Sequence, residues 1–485
     1  MPVDHQSGQV LSTAPESLEL DVQGLRGVAV LLVVLYHAGL PMLPGGYVGV
    51  DVFFVISGYI ITRLLVRERE RSGTIDLAEF YARRARRLLP AAIVVIVATL
   101  AVGLLLHSPQ EQLQAVRSAL AASLYASNLW FAHRSTDYLG GKADTDPLLH
   151  TWSLAVEEQY YLVWPGLVLL ALRGASLSAL RWRMVLLVAG VALASFLVCR
   201  HFTWKSQTWA FFGTHARAWE FCLGSAVFLL SRHGPVLHRT VAQSLGIAGA
   251  LMVLAASIGF DKRTAFPGSA ALLPTVGAAL MLLAGRGEQG TWAARVLSTR
   301  PLVEVGNVSY SLYLWHWPAL VYARLVFGET SPTAVAVGLT AAVLLAVMSY
   351  HWVENPVRHA GGLARHVRAS MVGGVLASVA TAGVAVAAHW AAEAAANSPA
   401  HARFAAARLD RPLVYKTECP AKYNALDAPD CVFGQADASR RVVLFGDSHA
   451  AHWFPAFDEL ARRHGWQLVS LTKSACPSVV VTVFN

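Results

Sequence analysis

Eleven apolar runs, each about as long as a helix needs to cross a ~30 Å hydrocarbon core, constrain this chain more than any other feature. They lie at 25–41, 48–66, 88–107, 151–172, 184–199, 214–231, 242–258, 268–285, 306–327, 333–352 and 370–390. Backbone N–H and C=O groups find no water in hydrocarbon, so such runs read as helices. Only 14% of residues are charged, against roughly 25% in a soluble domain. The expected fold is therefore an all-α polytopic membrane protein with about ten plus one transmembrane helices. The N-terminal stretch MPVDHQSGQVLSTAPESLELD is polar, contains acidic residues and lacks a signal-peptide layout, so the first run is expected to remain as a helix.

A net charge of +9 raises nucleic acid as a partner. The arginines, however, cluster between apolar runs, where they read as positive-inside signals facing the cytoplasm. The expected partner is thus the lipid bilayer, with no nucleic acid. With a cytoplasmic N-terminus, the even-numbered runs exit into the basic segments, among them RLLVRERERSG, FYARRARR and VRHAGGLARHVR. Everything after about Ala391 is then extracytoplasmic.

The domain organisation expected is a cytoplasmic tail (1–20), a transmembrane domain (21–360), an extra transmembrane helix with its cytoplasmic approach (361–390), an extracytoplasmic linker (391–437) and a C-terminal segment of another kind (438–485). In that last segment RRVVLFGDSHAAHWFPAFDELARRHGWQLVSLT reads as buried strand, sharp turn, amphipathic helix and second strand, the opening of an α/β fold. Of five cysteines, Cys199 and Cys222 fall in or at apolar runs and read as packing residues. Cys419 and Cys431 are disulfide candidates in an oxidising compartment, which leaves Cys476 over.

The first apolar run, LRGVAVLLVVLYHAG, carries two ionisable residues, Arg26 and His37. At about 100° per residue they stand within about 20° of one helix face, yet about 16 Å apart along the axis. They are too distant for a hydrogen bond and mark two ends of one polar path toward a common cavity. Each also has a blander reading: an arginine at a helix mouth snorkels to headgroups, and a lone membrane histidine bonds a neighbouring helix.

The segments that follow, GGYVGVDVFFVISGYIIT, FYARRARRLLPA, HTWSLAVEEQYYLVWP, HARAWEFCLGSAV, VGNVSYSLYLWHWPAL and VENPVRH, run in order to residue 358. Together with Arg26 and His37 they make the chain similar to the bacterial membrane acyltransferase-3 family, the O-antigen and exopolysaccharide O-acetylases. The resemblance implies an integral-membrane O-acyltransferase of the bacterial inner membrane. It would move an acyl group, acetyl by family expectation, from cytoplasmic acetyl-CoA to a carbohydrate hydroxyl, such as one of lipopolysaccharide O-antigen. It also implies roles for particular residues. Arg83, Arg84 and Arg87 match the family's RRxxR, and guanidinium forks suit the phosphates of acyl-CoA. Arg26 is a candidate second contact to that donor. His37 is the candidate base for the attacking hydroxyl or a transient acyl carrier, and the residues do not separate the two.

Glu158 and Glu354 match family positions and are candidate site carboxylates. Glu157 and Glu158 are adjacent, hence about 100° apart on a helix, and do not form a paired-carboxylate site. Asp51 and Ser57 read as packing or local hydrogen-bonding residues. Arg217 and Glu220, three apart, read as a mutually neutralising pair. His316 reads equally as an interface or a functional residue. No histidine spacing suggests a metal site. In the tail, VVLFGDSHAAHW resembles the first block of the SGNH hydrolase fold. Ser448 is then the candidate nucleophile, with Gly446 and Asp447 shaping its turn and the helix N-terminus facing an oxyanion. The later Asp-x-x-His block that supplies the family's base does not follow, so an incomplete domain is expected. The competing reading of the membrane part is a transporter or flippase of an acyl donor or glycan, since transporters also bury ionisable residues.

Overall fold

The computed structural model describes residues 20–134, 146–174, 177–234, 237–285, 291–417, 419 and 431–473. The tail before Leu20, Cys476 and the residues after Lys473 lie outside the described residues. Every apolar run has become a helix: α1 Leu20–His37, α2 Gly49–Ser72, α3 Leu77–Leu106, α4 Thr151–Leu172, α5 Leu177–Lys205, α6 Thr214–His233, α7 Arg239–Gly259, α8 Leu272–Ala284, α9 Ser309–Phe327, α10 Pro332–Ser349 and α11 Val367–Ala396. Among the described residues, seven helices are long and apolar enough to cross a membrane by length and composition alone. The four outside that set are α4, α6, α8 and α9. Of these, α8 is short, with 13 residues. The other three carry polar residues that face inward: Glu157 on α4, Arg217 and Glu220 on α6, His316 on α9.

Close helix contacts depend on glycine. Where α2 crosses α6, a Cβ at Gly58 would lie 1.8 Å from the Phe221 carbonyl oxygen, and one at Gly224 would lie 1.9 Å from that of Val55. Small residues on both helices therefore let the backbones meet. The same crossing is bonded through Thr62 and Ser225 hydroxyls 2.7 Å apart, with the Trp164 indole N–H donating to Thr62 at 3.0 Å. Arg217 does more than neutralise Glu220. Its Nη1 lies 2.8 Å from Glu220 Oε1 and 3.1 Å from Asp51 Oδ1, so one buried guanidinium joins two carboxylates from two helices.

The chain divides after Glu393 into two compact units. In the second, β1 (Val432–Gly434), β2 (Arg441–Gly446) and β3 (Gln467–Thr472) form a sheet in the order β1-β3-β2. Strands β2 and β3 are parallel, with Arg441 opposite Gln467 and Gly446 opposite Thr472. A parallel pair needs a crossover, and helices α12 (Ser448–His452) and α13 (Phe454–His464) supply it. Val414, Leu444, Ala451, Phe454, Ala461 and Leu468 form the small core. The expected strand–turn–helix–strand order is thus observed. The stretch expected as linker also holds a helix, Pro399–Leu409, and the edge strand β1. Cys419 and Cys431 form a disulfide, while Cys199 and Cys222 are buried and free.

Candidate active site

Helices α1, α2, α3, α4 and α9 enclose a cavity of about 80 Å³, room for a few waters or a short acyl group rather than a nucleotide. Arg26, Arg84 and Arg87 all line it. Spacing explains which arginines of the α3 run turn inward. Arg84 and Arg87 are three apart and share a face. Arg83 points away, half exposed, and pairs with Glu68 at 3.3 Å and Glu79 at 3.4 Å. Arg86, not singled out in the sequence, is buried and bonds Ser370 Oγ at 2.9 Å. Arg84 sits 3.4 Å above the Tyr161 ring centre and 3.4 Å from Glu158 Oε1. Among the described residues, the buried Nε of Arg87 has no hydrogen-bond partner. Arg26 accepts orientation from Gln23, whose Oε1 is 3.1 Å from Arg26 Nη1 and whose amide donates to Asn307 at 2.8 Å.

The carboxylates divide in a way their adjacency concealed. Glu158 turns out of the cavity lining and serves Arg84. Glu157 lines the cavity and accepts from the Ser57 hydroxyl at 2.6 Å and the Tyr161 hydroxyl at 2.5 Å. Ser57 is thus a cavity residue as well as a packing one. The signal was present in the sequence: Ser153, Glu157 and Tyr161 recur every four residues and form one face of α4. Glu354 lies in a π-helical turn, Tyr350–Glu354, at the end of α10. Such a turn re-aims side chains and recurs at functional sites. Here it buries Glu354, which accepts from Ser311 Oγ at 2.9 Å and acts electrostatically on Arg26 and Arg87.

His37 is buried at the last residue of α1, but it does not line this cavity. Tyr313 of α9 stands at the border: it lines the cavity, and its ring centre is 5.3 Å from that of His316. His316, fully buried, lies 3.0 Å from His37 Nδ1 through its Nε2. His150 completes a histidine cluster, its ring centre 5.5 Å from that of His316. Trp317 packs on His37 at 4.7 Å, and Arg324 donates to the His37 main-chain oxygen at 2.6 Å. The polar path from Arg26 to His37 is therefore a cavity followed by a histidine cluster, not one open cavity. His150 escaped the sequence reading because it precedes α4 and meets α9 only in three dimensions.

In the second unit Ser448 is the first residue of α12, after a Gly446 whose φ of 149° suits glycine. The Asp447 carboxylate accepts from the His449 backbone N–H at 2.8 Å. That bond holds the Asp447 carboxyl below its ordinary value. Among the described residues no hydrogen bond joins Ser448 to an imidazole; the neighbouring His449 Nδ1 lies 3.4 Å from Asp447 Oδ2 instead.

These features define a polytopic helical membrane protein with a buried cationic cavity, continued by an α/β unit that opens on a Gly-Asp-Ser turn. The chain belongs to the acyltransferase-3 family: residues 19–351 match the model of its acyltransferase domain, and residues 416–484 match the SGNH domain found fused to such domains. It is similar to the peptidoglycan O-acetyltransferase OatA of Listeria monocytogenes, 30% identical over 351 residues, which covers 70% of this chain and 56% of that protein. It is also similar to the O-acetyltransferase OatA of Staphylococcus aureus, 33% identical over 353 residues, covering 70% of this chain and 57% of the relative. The chain thus spans a little over half the length of these curated relatives. No solved structure matches it.

Proposed function

We propose that this protein is an O-acetyltransferase of the bacterial cytoplasmic membrane that takes an acetyl group from acyl-CoA and passes it toward a hydroxyl of an envelope glycan. The observation that carries the reading is the convergence of Arg26, Arg84 and Arg87 on one buried cavity whose far border, Tyr313, touches the histidine cluster. Three guanidinium groups in a site poor in water favour a polyanion, and forks pair well with phosphates. The cavity is too small for the nucleotide, so the phosphates of the donor would meet the arginines at its mouth while the pantetheine arm carries the thioester inward. With the N-terminus cytoplasmic, as the basic exits of the apolar runs favour, that mouth faces the CoA pool.

At the far end His37 would take the proton of the attacking hydroxyl as the new C–O bond forms and the C–S bond breaks. The CoA thiolate then leaves and is reprotonated. Glu157 in the cavity wall, and Glu354 buried outside the lining but acting electrostatically on Arg26 and Arg87, balance the arginines when no donor is bound. Ser448, on its turn in the second unit, is the candidate acceptor for an onward step outside the membrane. The Listeria relative is named for peptidoglycan, which favours a peptidoglycan sugar over lipopolysaccharide as the final acceptor. The test follows labelled acetyl-CoA with membranes containing the native protein or His37→Ala. Transfer of label to glycan that disappears in His37→Ala, with CoA binding kept, is expected. Undiminished transfer by His37→Ala would remove His37 from the mechanism, and no transfer by the native protein would remove acetyl-CoA as donor.

A further inference from the structure

Two imidazoles in contact share a proton in a definite order, and the group at the end of the row sets that order. His316 Nδ1 is 2.6 Å from the main-chain oxygen of Tyr313. A carbonyl oxygen only accepts, so the proton of that bond sits on His316 Nδ1. A neutral imidazole carries one N–H, which leaves His316 Nε2 as a lone pair. His37 Nδ1 lies 3.0 Å from it, and the bond then requires His37 to donate. The ring geometry agrees. The centres are 5.2 Å apart with planes 20° from parallel. That separation is close to the N–N contact plus two ring radii, so the rings meet edge to edge and nearly in plane, where an sp² nitrogen keeps its lone pair. Neither ring has room to turn over: His316 is 0% exposed, and Trp317 covers His37.

We propose that His316 is a positioning residue that holds His37 as the Nδ1–H tautomer and so makes His37 Nε2 the atom that receives the proton. This rests on the reading of His37 as the base. In the step, the acceptor O–H bond breaks and its proton goes to His37 Nε2 while the oxygen bonds the acetyl carbon. The imidazolium formed is stabilised through a charge-assisted Nδ1–H bond to His316 Nε2. As the C–S bond breaks, the thiolate sulfur takes the Nε2 proton and His37 returns to its starting tautomer. The backbone of α9 thereby selects which nitrogen of α1 does the chemistry.

The test compares native protein, His316→Leu, His316→Gln and His37→Ala as full chains, by acetyl transfer from labelled acetyl-CoA and by the pH profile of kcat. Leucine keeps bulk but offers no acceptor; glutamine places a carbonyl oxygen near the position of Nε2. His316→Leu is expected to lower kcat about 10–100-fold, the range of outer partners that orient a histidine, with KM for acetyl-CoA unchanged and the acid limb of the profile moved. His316→Gln is expected to recover most of the loss and the native profile. Equal impairment in both variants, or a His316→Leu within about twofold of native, overturns the inference. If His316→Leu does not fold, ¹⁵N NMR of ring-labelled native protein decides, with His37 assigned through His37→Ala: protonated Nδ1 supports the proposal and protonated Nε2 ends it. Full turnover by His37→Ala would remove the base itself, whereas an inactive His37→Ala beside an unimpaired His316→Leu would remove only this inference.

Discussion

Ser57 on α2 and Glu157 on α4 are joined by a 2.6 Å hydrogen bond, the hydroxyl donating to the carboxylate, across the wall of a cavity that also holds three arginines. The same carboxylate oxygen accepts from Tyr161. Glu157→Ala leaves two buried hydroxyl groups without their acceptor, which costs about 1–3 kcal/mol each at most. A lowered Tm in detergent is expected, with Glu157→Gln falling less because an amide oxygen remains to accept. Equal losses in the two variants would show that charge, not acceptor geometry, is what matters there.

The inward turn of Arg26 and Arg87, and the outward turn of Arg83, separate three residues that sequence alone groups together. Loss of one charge-assisted contact is worth about 1.5–3 kcal/mol, or roughly tenfold or more in affinity. Arg26→Ala and Arg87→Ala are each expected to weaken CoA binding by that factor in calorimetry. Arg83→Ala, which gives up only exposed pairs with Glu68 and Glu79, is expected to change it little, since such pairs contribute about 0–1 kcal/mol. A ranking with Arg83 first would reject the cavity as the donor site.

Among the described residues, Arg217 is the cation that pairs with both Asp51 and Glu220, with all three residues buried. Arg217→Met strands two carboxylates in the bundle and is expected to cost about 3–5 kcal/mol, seen as loss of folded protein on extraction. The double change Asp51→Asn with Glu220→Gln in the Arg217→Met background is expected to recover part of it. No recovery would mean that packing of the long side chain, not its charge, is what holds α2 to α6.

The glycine crossing gives a prediction free of charge. Gly224→Ala places a Cβ where the Val55 carbonyl already sits and is expected to destabilise by at least the usual overpacking cost of about 1–3 kcal/mol. Gly190→Ala, on α5 with nothing within 4 Å of the added carbon, is expected to be neutral or slightly stabilising. Melting curves of the two variants in one detergent decide it.

In the second unit the depressed carboxyl of Asp447 makes a signed pH statement. The charged form accepts the His449 N–H bond, so the cap contributes above the ordinary aspartate value near ~3.9 and is lost as pH falls below it toward the native one. A carbonyl-carbon titration is expected to place Asp447 below free aspartate. An unshifted midpoint would mean that the cap is not formed in solution.

Much of this was legible in the chain because its causes are local. Bilayer thickness sets the run length and forces backbone bonds inside each segment, so eleven apolar runs announce eleven helices. Strand, turn and helix around Ser448 follow from side-chain period and one glycine. The shared face of Arg26 and His37 follows from the pitch of α1. The long-range partners were not legible: which of Glu157 and Glu158 faces the cavity, which of Arg83, Arg84 and Arg87 turns outward, and the meeting of His37 with a histidine 279 positions away. Those depend on how each helix is rotated about its axis, and rotation is settled by glycine contacts and buried polar bonds between helices that no single segment contains. The sequence by itself determined the existence and order of the eleven apolar helices and the kinds of side chain available for chemistry, but not where those helices end: the run at 184–199 lies within a helix over Leu177–Lys205. The tertiary structure alone decided which of them meet, because in a bundle of apolar rods the few polar groups must find one another to be buried at all.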